Sequence, residues 1–192
     1  YNLVETGNRN DNGTMMKLTV GLYIDNYCSN FLVHHNIVIG GEGGLSTNLP
    51  NPGTIFANNT VIGAKHGYGL FSVSKDNADG RGVSFVNNLF ADLKGLDISY
   101  YGTEDGISRS YLGNLADGSV PVPVNPDRRI TSSHNLRGEV GADYRPVPGS
   151  FAIDGGIVID GITGDFSGNA PDIGALESGE PMFPYGASWT LP

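Results

Sequence analysis

Positive charge is scarce in this chain. Lysine and arginine together number 11 against 20 aspartates and glutamates, a formal net charge of −9 over 192 residues. A nucleic-acid partner is thereby excluded, because phosphates demand clustered Lys and Arg. A nonspecific hold on any other polyanion would need a local basic patch or bridging cations. Cysteine is nearly absent: Cys28 alone cannot build a disulfide framework or a cysteine-rich zinc site. No stretch reaches the ~18 consecutive apolar residues of a membrane-crossing helix. Phosphate loops, nucleophile elbows and His/Glu zinc motifs are also missing, so no cofactor is implied by a motif.

What the chain does have is glycine, 29 residues, and much asparagine, with only 16% charged residues. That composition favours many short strands and tight turns in one domain. Asparagine heads a recurrent short segment: "NLVETG" at Asn2, "NIVIG" at Asn36, "NTVIG" at Asn59, "NLFAD" at Asn88, "NLADG" at Asn114 and "NLRGE" at Asn135. The separations are 34, 23, 29, 26 and 21 residues. A second column, "GLYID" at Gly21, "GLSTN" at Gly44, "GLFSV" at Gly69 and "GLDIS" at Gly95, is spaced 23, 25 and 26 residues. Segments such as "FLVHH", "TIFAN" and "VSFVN" carry β-branched and aromatic residues without a helical period. Such a repeat suits a coil of short parallel strands, stacked ~4.8 Å apart.

These two columns resemble the right-handed parallel β-helix of the pectate-lyase-like superfamily, over roughly Asn2 to Gly138. The expected fold is all-β: a right-handed parallel β-helix (solenoid) of about five rungs with an irregular C-terminal closing segment. Residues 1–140 would be rungs and 141–192 the closing segment of the same domain. Corner asparagines would bond one another up the stack. Leu22, Leu45, Leu70 and Leu96 should form one interior column, Val33, Phe56 and Phe85 a second, and Val38, Val61 and Phe90 a third. Alternation turns Tyr23, Asp25, Ser46, Asn48, Phe71, Val73, Asp97 and Ser99 outward. His34 and His35, being adjacent on a strand, are expected on opposite faces and thus not a metal site.

The ending "PGSFAIDGG…PDIGALE" resembles the "PGSxAIDxG…PDIGAxE" close of many secreted bacterial β-helix proteins, with Phe151 where proline is usual. This implies an extracellular or cell-surface location and a closing segment over the last rung. Asp154, Asp160, Asp165 and Asp172 would cap its turns, with a Ca2+ site as the sharper alternative. "KDNADGRG" (Lys75 to Gly82) reads as a turn. At the other end, a coil opening at Asn2 would leave backbone and core bare. Upstream rungs of the same polypeptide, or another chain, are therefore expected to cover it.

In the superfamily resembled, ligands lie along a groove formed by one sheet and its edge loops, here the "GLxxx" sheet. The partner implied is a polysaccharide. The longest loop, "NRNDNGTMMK" (Asn8 to Lys17), is also the most polar. A glycosidase needs two carboxyls ~5–5.5 Å apart for retention or ~6.5–9.5 Å for inversion. Asp25 is one candidate, but Asp97 three rungs away is ~14 Å distant. Asp11, Glu42 or an upstream acid would have to complete the pair. A polysaccharide lyase would instead need a cation and a base, for which Lys17, Lys75, Arg9 and Arg81, with His66 or Tyr23, are candidates. Asn48, Phe71, Asp97, Tyr100 and Arg9 are the expected substrate contacts. A noncatalytic carbohydrate-binding or structural module, with Tyr23, Phe71, Tyr100 and Tyr101 as stacking surfaces, is the remaining reading.

Overall fold

The computed structural model describes residues 2–6, 19–25, 27–48, 51–72, 83–95, 98–104, 107–113, 118–122 and 125–181, with the backbone pairing alone in 70–72 and 98–131. Regular structure there is entirely β, with no helix among the described residues. The strands in chain order are β1 (Leu3–Glu5), β2 (Val20–Ile24), β3 (Leu32–His34), β4 (Ile37–Ile39), β5 (Gly43–Asn48), β6 (Ile55–Ala57), β7 (Thr60–Ile62) and β8 (His66–Ser72). They continue with β9 (Ser84–Val86), β10 (Leu89–Ala91), β11 (Ile98–Glu104), β12 (Ile107–Gly113), β13 (Gly118–Val122), β14 (Asn125–Ser133) and β15 (Leu136–Arg137).

Successive strands join successive sheets. The first sheet runs β1-β4-β7-β10-β15, the second β2-β5-β8-β11-β12 and the third β3-β6-β9-β14-β13. Neighbours are parallel except in two hairpins, β11 with β12 and β13 with β14. The fold is therefore all-β with parallel sheets, consistent with a solenoid, and its strand order returns to the first sheet every third strand until the hairpins intervene.

The corner asparagines do pile up. Asn2, Asn36, Asn59 and Asn88 each donate Nδ2 to the Oδ1 of the next, with Asn135 last, at 2.8–2.9 Å. Each also donates its backbone N–H to that same oxygen at 3.0–3.1 Å. Asn114 lies outside the described residues. The residue before each interior asparagine takes a left-handed conformation: φ is 51° at His35, 48° at Asn58, 54° at Asn87 and 51° at His134. This corner also corrects one expectation. Because His35 leaves the strand there, its ring turns back to His34, and the two Nδ1 atoms share a hydrogen bond of 2.9 Å. Burial pushes both imidazoles down, His35 to about 4, so the pair is held neutral.

Two of the three interior columns form as expected: Val33 over Phe56 over Phe85, and Val38 over Val61 over Phe90. The third does not. Leu22 pairs with Leu45, but Leu45 pairs with Tyr68, and Leu70 with Thr47; Leu96 lies outside the described residues. The chain offers "GYGL" at residues 67–70, and the first glycine, not the second, continues the column. The reason is steric. A side chain at Gly21 would approach Val38 to 2.2 Å, and one at Gly44 would approach Val61 equally closely. Tyr68 is then fully buried, edge-on to Phe85 at 4.2 Å, while Phe85 stacks on Phe56 at 5.0 Å. Its hydroxyl is satisfied by Thr47 Oγ1, and burial raises its pKa.

Residues 141–181 do not simply cover the final coil. They lie along the outer face of the first sheet. Ile37 packs there with Ala175 and Leu176, and Leu89 with Ala152 and Ile173. Ala175 N–H donates to Thr60 Oγ1 at 2.8 Å, and Asn87 exchanges two hydrogen bonds with the backbone of Ile157. Two of the four aspartates, Asp154 and Asp172, act as turn caps. Asp154 Oδ1 accepts from the backbone of Asn169 and Ala170, and Asp172 accepts from the backbone of Asp154 and Ser178. Asp160 and Asp165 are exposed.

Candidate functional site

The second sheet presents its polar residues at the C-terminal ends of its strands. Alternation along β2 sends Leu22 inward and Tyr23 outward, and Asp25 follows Tyr23 on the same side one residue beyond the strand. Tyr23 is 43% exposed. Its hydroxyl donates to Asp25 Oδ1 at 3.3 Å. From the next coil, Asn48 Nδ2 donates to the same oxygen at 3.2 Å. Asn51, fully buried in the turn after β5, donates its amide to the backbone carbonyl of Asp25. An exposed carboxylate is thus pinned at its side chain and at its main chain. Partial burial raises the Tyr23 pKa, and the charge and hydrogen bond of Asp25 raise it further. At neutral pH Tyr23 is a donor and not a base.

Among the described residues, Asn48 Oδ1 and Asn51 Oδ1, on the two asparagines that bond Asp25, are enclosed and receive no hydrogen bond. An enclosed amide oxygen without a donor costs about 1–3 kcal/mol, and neither oxygen is open to an incoming ligand in this arrangement. Ser46 Oγ, in register with Tyr23, is likewise enclosed and unsatisfied.

Other sequence candidates fall elsewhere. His66 starts β8, in register with Gly43, whereas Phe71 is in register with Asn48. Five residues of strand put His66 ~17 Å from the carboxylate. It is also buried, with Gly95 so close that a side chain there would come within 2.7 Å of its ring. Glu42 sits at that same far end and pairs with Lys65, so it cannot complete a carboxyl pair with Asp25. In register, Tyr101 falls beside Phe71 and Tyr100 beside Leu70. In backbone register, Phe71 and Tyr101 therefore continue the column of Asn48, and Tyr100 falls in the column of Leu70 and Thr47. Arg9, Asp11, Lys17, Val73, Lys75, Arg81 and Asp97 lie outside the described residues. Asn51 is the contributor that sequence reasoning missed. Its only signal, "LPNPG" (Leu49 to Gly53), is that of an ordinary turn.

A repeating β-coil carrying one pinned, exposed carboxylate is the class that fold and site define. Against known proteins, the chain is 26% identical over 160 residues, 78% of its length, to a lacto-N-biosidase of Bifidobacterium longum subsp. longum. The match spans only 10% of that protein's length. No family model and no solved structure matches the chain.

Proposed function

We propose that the chain is part of an extracellular or cell-surface carbohydrate-active protein, a glycoside hydrolase, in which Asp25 is one of the two working carboxyl groups. The observation that carries this is the Tyr23–Asp25–Asn48 constellation: an exposed carboxylate held by two donors, beside an exposed aromatic ring. Sugars supply hydroxyl donors in number, and fixing a carboxyl group in advance is what glycoside cleavage requires. The distant likeness to a glycoside hydrolase favours hydrolysis over elimination. The lyase reading rests on Lys17, Lys75, Arg9 and Arg81, none of them among the described residues.

In the proposed reaction Tyr23 and Asn48 orient the Asp25 carboxylate toward a saccharide lying across the strand ends. A second carboxyl group, Asp11 or an acid from an adjoining coil, completes the pair. The scaffold is a right-handed stack of about five coils, the hand that parallel crossovers adopt. The test is release of reducing ends from an oligosaccharide panel by the full-length protein. Activity that falls about 10²–10⁴-fold in Asp25→Asn supports the reading. Undiminished activity in that variant removes Asp25 from the chemistry, and ultraviolet-absorbing unsaturated products would establish a lyase instead.

A second reading is favoured by one specific observation: among the described residues of this face Asp25 is the sole carboxylate, and Tyr23 beside it is an exposed ring. Such a face suits noncatalytic sugar binding by stacking and hydrogen bonding. Retention on a polysaccharide gel without any product would establish it.

A further inference from the structure

We propose that His34 and His35 form a two-point chelate for a divalent transition metal of square-planar preference, Cu2+ or Ni2+, held between their Nδ1 atoms. The corner makes the site. Successive side chains on an extended strand point apart and could not share an ion. The left-handed turn at His35, φ 51°, undoes that alternation. It brings His35 Nδ1 to 2.9 Å from His34 Nδ1, with the two rings at 82°.

The same corner recurs, and its other copies show what is particular to this one. In register, His34 continues into Ala57, Val86 and Ser133. His35 corresponds to Asn58, Asn87 and His134, all left-handed. The two middle corners spend their asparagines on the closing segment, Asn58 on Asp172 O and Asn87 on Ile157. At the last corner His134 Nδ1 is bonded to Ser133 Oγ. A hydroxyl is thus enough to satisfy a corner histidine. Among the described residues, two metal-ligating nitrogens converge at the His34–His35 corner alone.

The separation selects the metal. A first-row ion bonds an imidazole nitrogen at ~2.0–2.1 Å. Two such bonds at the ~90° angle of a square-planar centre set the nitrogens ~2.9 Å apart. The tetrahedral angle that zinc favours would set them ~3.3–3.4 Å apart. The observed 2.9 Å matches the first. Without metal, one Nδ1–H donates to the other Nδ1. On binding, that proton moves to Nε2 of its own ring, so both rings stay neutral, both Nδ1 lone pairs face the ion and no proton is released. Burial already holds both imidazoles below their usual range, so neither must first shed a proton at neutral pH. Among the described residues no third His, Cys, Asp or Glu joins the pair, and water completes the coordination.

The test is titration of the 192-residue protein with Cu2+, Ni2+ and Zn2+, read by calorimetry and, for Cu2+, by electron paramagnetic resonance. The fold itself supplies the variants. His34→Ser copies the Ser133–His134 corner and His35→Asn copies Asn58 and Asn87, so neither should disturb the stack. The expected result is one Cu2+ per chain with hyperfine splitting from two nitrogens, and tighter binding of Ni2+ than of Zn2+. Each substitution should weaken Cu2+ binding beyond the roughly 10–100-fold that loss of an outer-shell partner costs, while the metal-free melting temperature stays near that of the parent. Unchanged affinity in either variant would overturn the proposal and assign the copper to another group. Tighter binding of Zn2+ than of Ni2+ would overturn it too. A parent that binds no Cu2+, with melting temperatures that fall in both variants, would leave the pair a structural fastener only.

Discussion

The outer faces of the first and second sheets are built on the same alternation and serve opposite ends. On the first sheet the outward positions Ile37, Thr60 and Leu89 are buried and Ile39 and Ile62 partly so, and residues 141–181 are packed over them. On the second sheet outward Ser46 is buried, but Tyr23, Asp25 and Asn48 toward the strand ends remain open to solvent or half-buried. The interior cannot distinguish the two faces, since both feed the same core with Val, Leu and Phe. What differs is the second set of residues, which the core does not constrain. A coil of this kind becomes scaffold where that set is apolar enough to recruit a covering segment, and becomes surface for chemistry where it is not.

The sharpest way to break this contrast is to remove apolar bulk from the covered face. Leu89→Ala should cost about 2–5 kcal/mol, the range for emptying a fully buried leucine site, measured by chemical denaturation. Tyr23→Ala, the matched change on the open face, should cost about 0.5–1 kcal/mol. Equal losses would mean that the second face is as closed as the first.

A smaller effect is expected at Asn87, which joins coil to covering segment through Ile157 N–H at 3.0 Å and Ile157 O at 2.8 Å. Asn87→Ala should cost about 1–3 kcal/mol through the backbone groups left unpaired. It should also speed protease nicking of residues 141–181. Because φ at Asn87 is 54°, Asn87→Gly should recover the part of the loss that arises from left-handed strain. Identical losses in the two variants would assign the whole effect to the amide.

How much of this contrast could be read in advance follows from how local its causes are. The ladder was legible because each asparagine precedes a short apolar strand and does so in every coil. Asp25 and Asn48 were legible as neighbours because strand alternation and coil spacing both act over few residues. The Leu45–Tyr68 pairing was not, since "GYGL" offers two glycines and the choice depends on how closely Val38 and Val61 approach from another sheet. Nor was the position of the closing segment. Ile173, Ala175 and Leu176 are too few to show a period, and their partners Ile37 and Leu89 are more than 80 residues away in sequence. Asn51 was invisible for the same reason: its contact with Asp25 crosses from one coil to the next through a turn.

The covering segment also carries a pH signature that the open face lacks. Glu177 Oε1 accepts the Asp172 N–H at 3.0 Å, while Oε2 is enclosed without a partner. Burial pushes the Glu177 pKa up to about 7, and the nearby charges of Asp172, Asp154 and Glu180 add to the rise. An acid whose pKa is raised on folding is stabilising while protonated, so its contribution is complete below about pH 4.5 and fades as pH climbs through 7. Thermal melts should therefore show Glu177→Gln little changed at pH 5 and more stable than the parent at pH 8. A variant that tracks the parent at both values would place this carboxyl group in contact with water.

The smallest expected change in stability, within about 0.5 kcal/mol, is that of Asp25→Asn, because the residue is exposed and an amide oxygen can still accept from Tyr23 and Asn48. That near-neutrality is what makes the substitution informative. A covered-face residue cannot be altered without disturbing the stack, so lost activity there says nothing about chemistry. At Asp25 shape and hydrogen bonding are retained and only the charge is removed. Melting temperatures that coincide, together with lost sugar cleavage or lost binding, would separate the working face from the supporting one. A clear drop in melting temperature would instead class the Asp25 carboxylate with the caps of Asp154 and Asp172, as a structural fastener at the end of a strand.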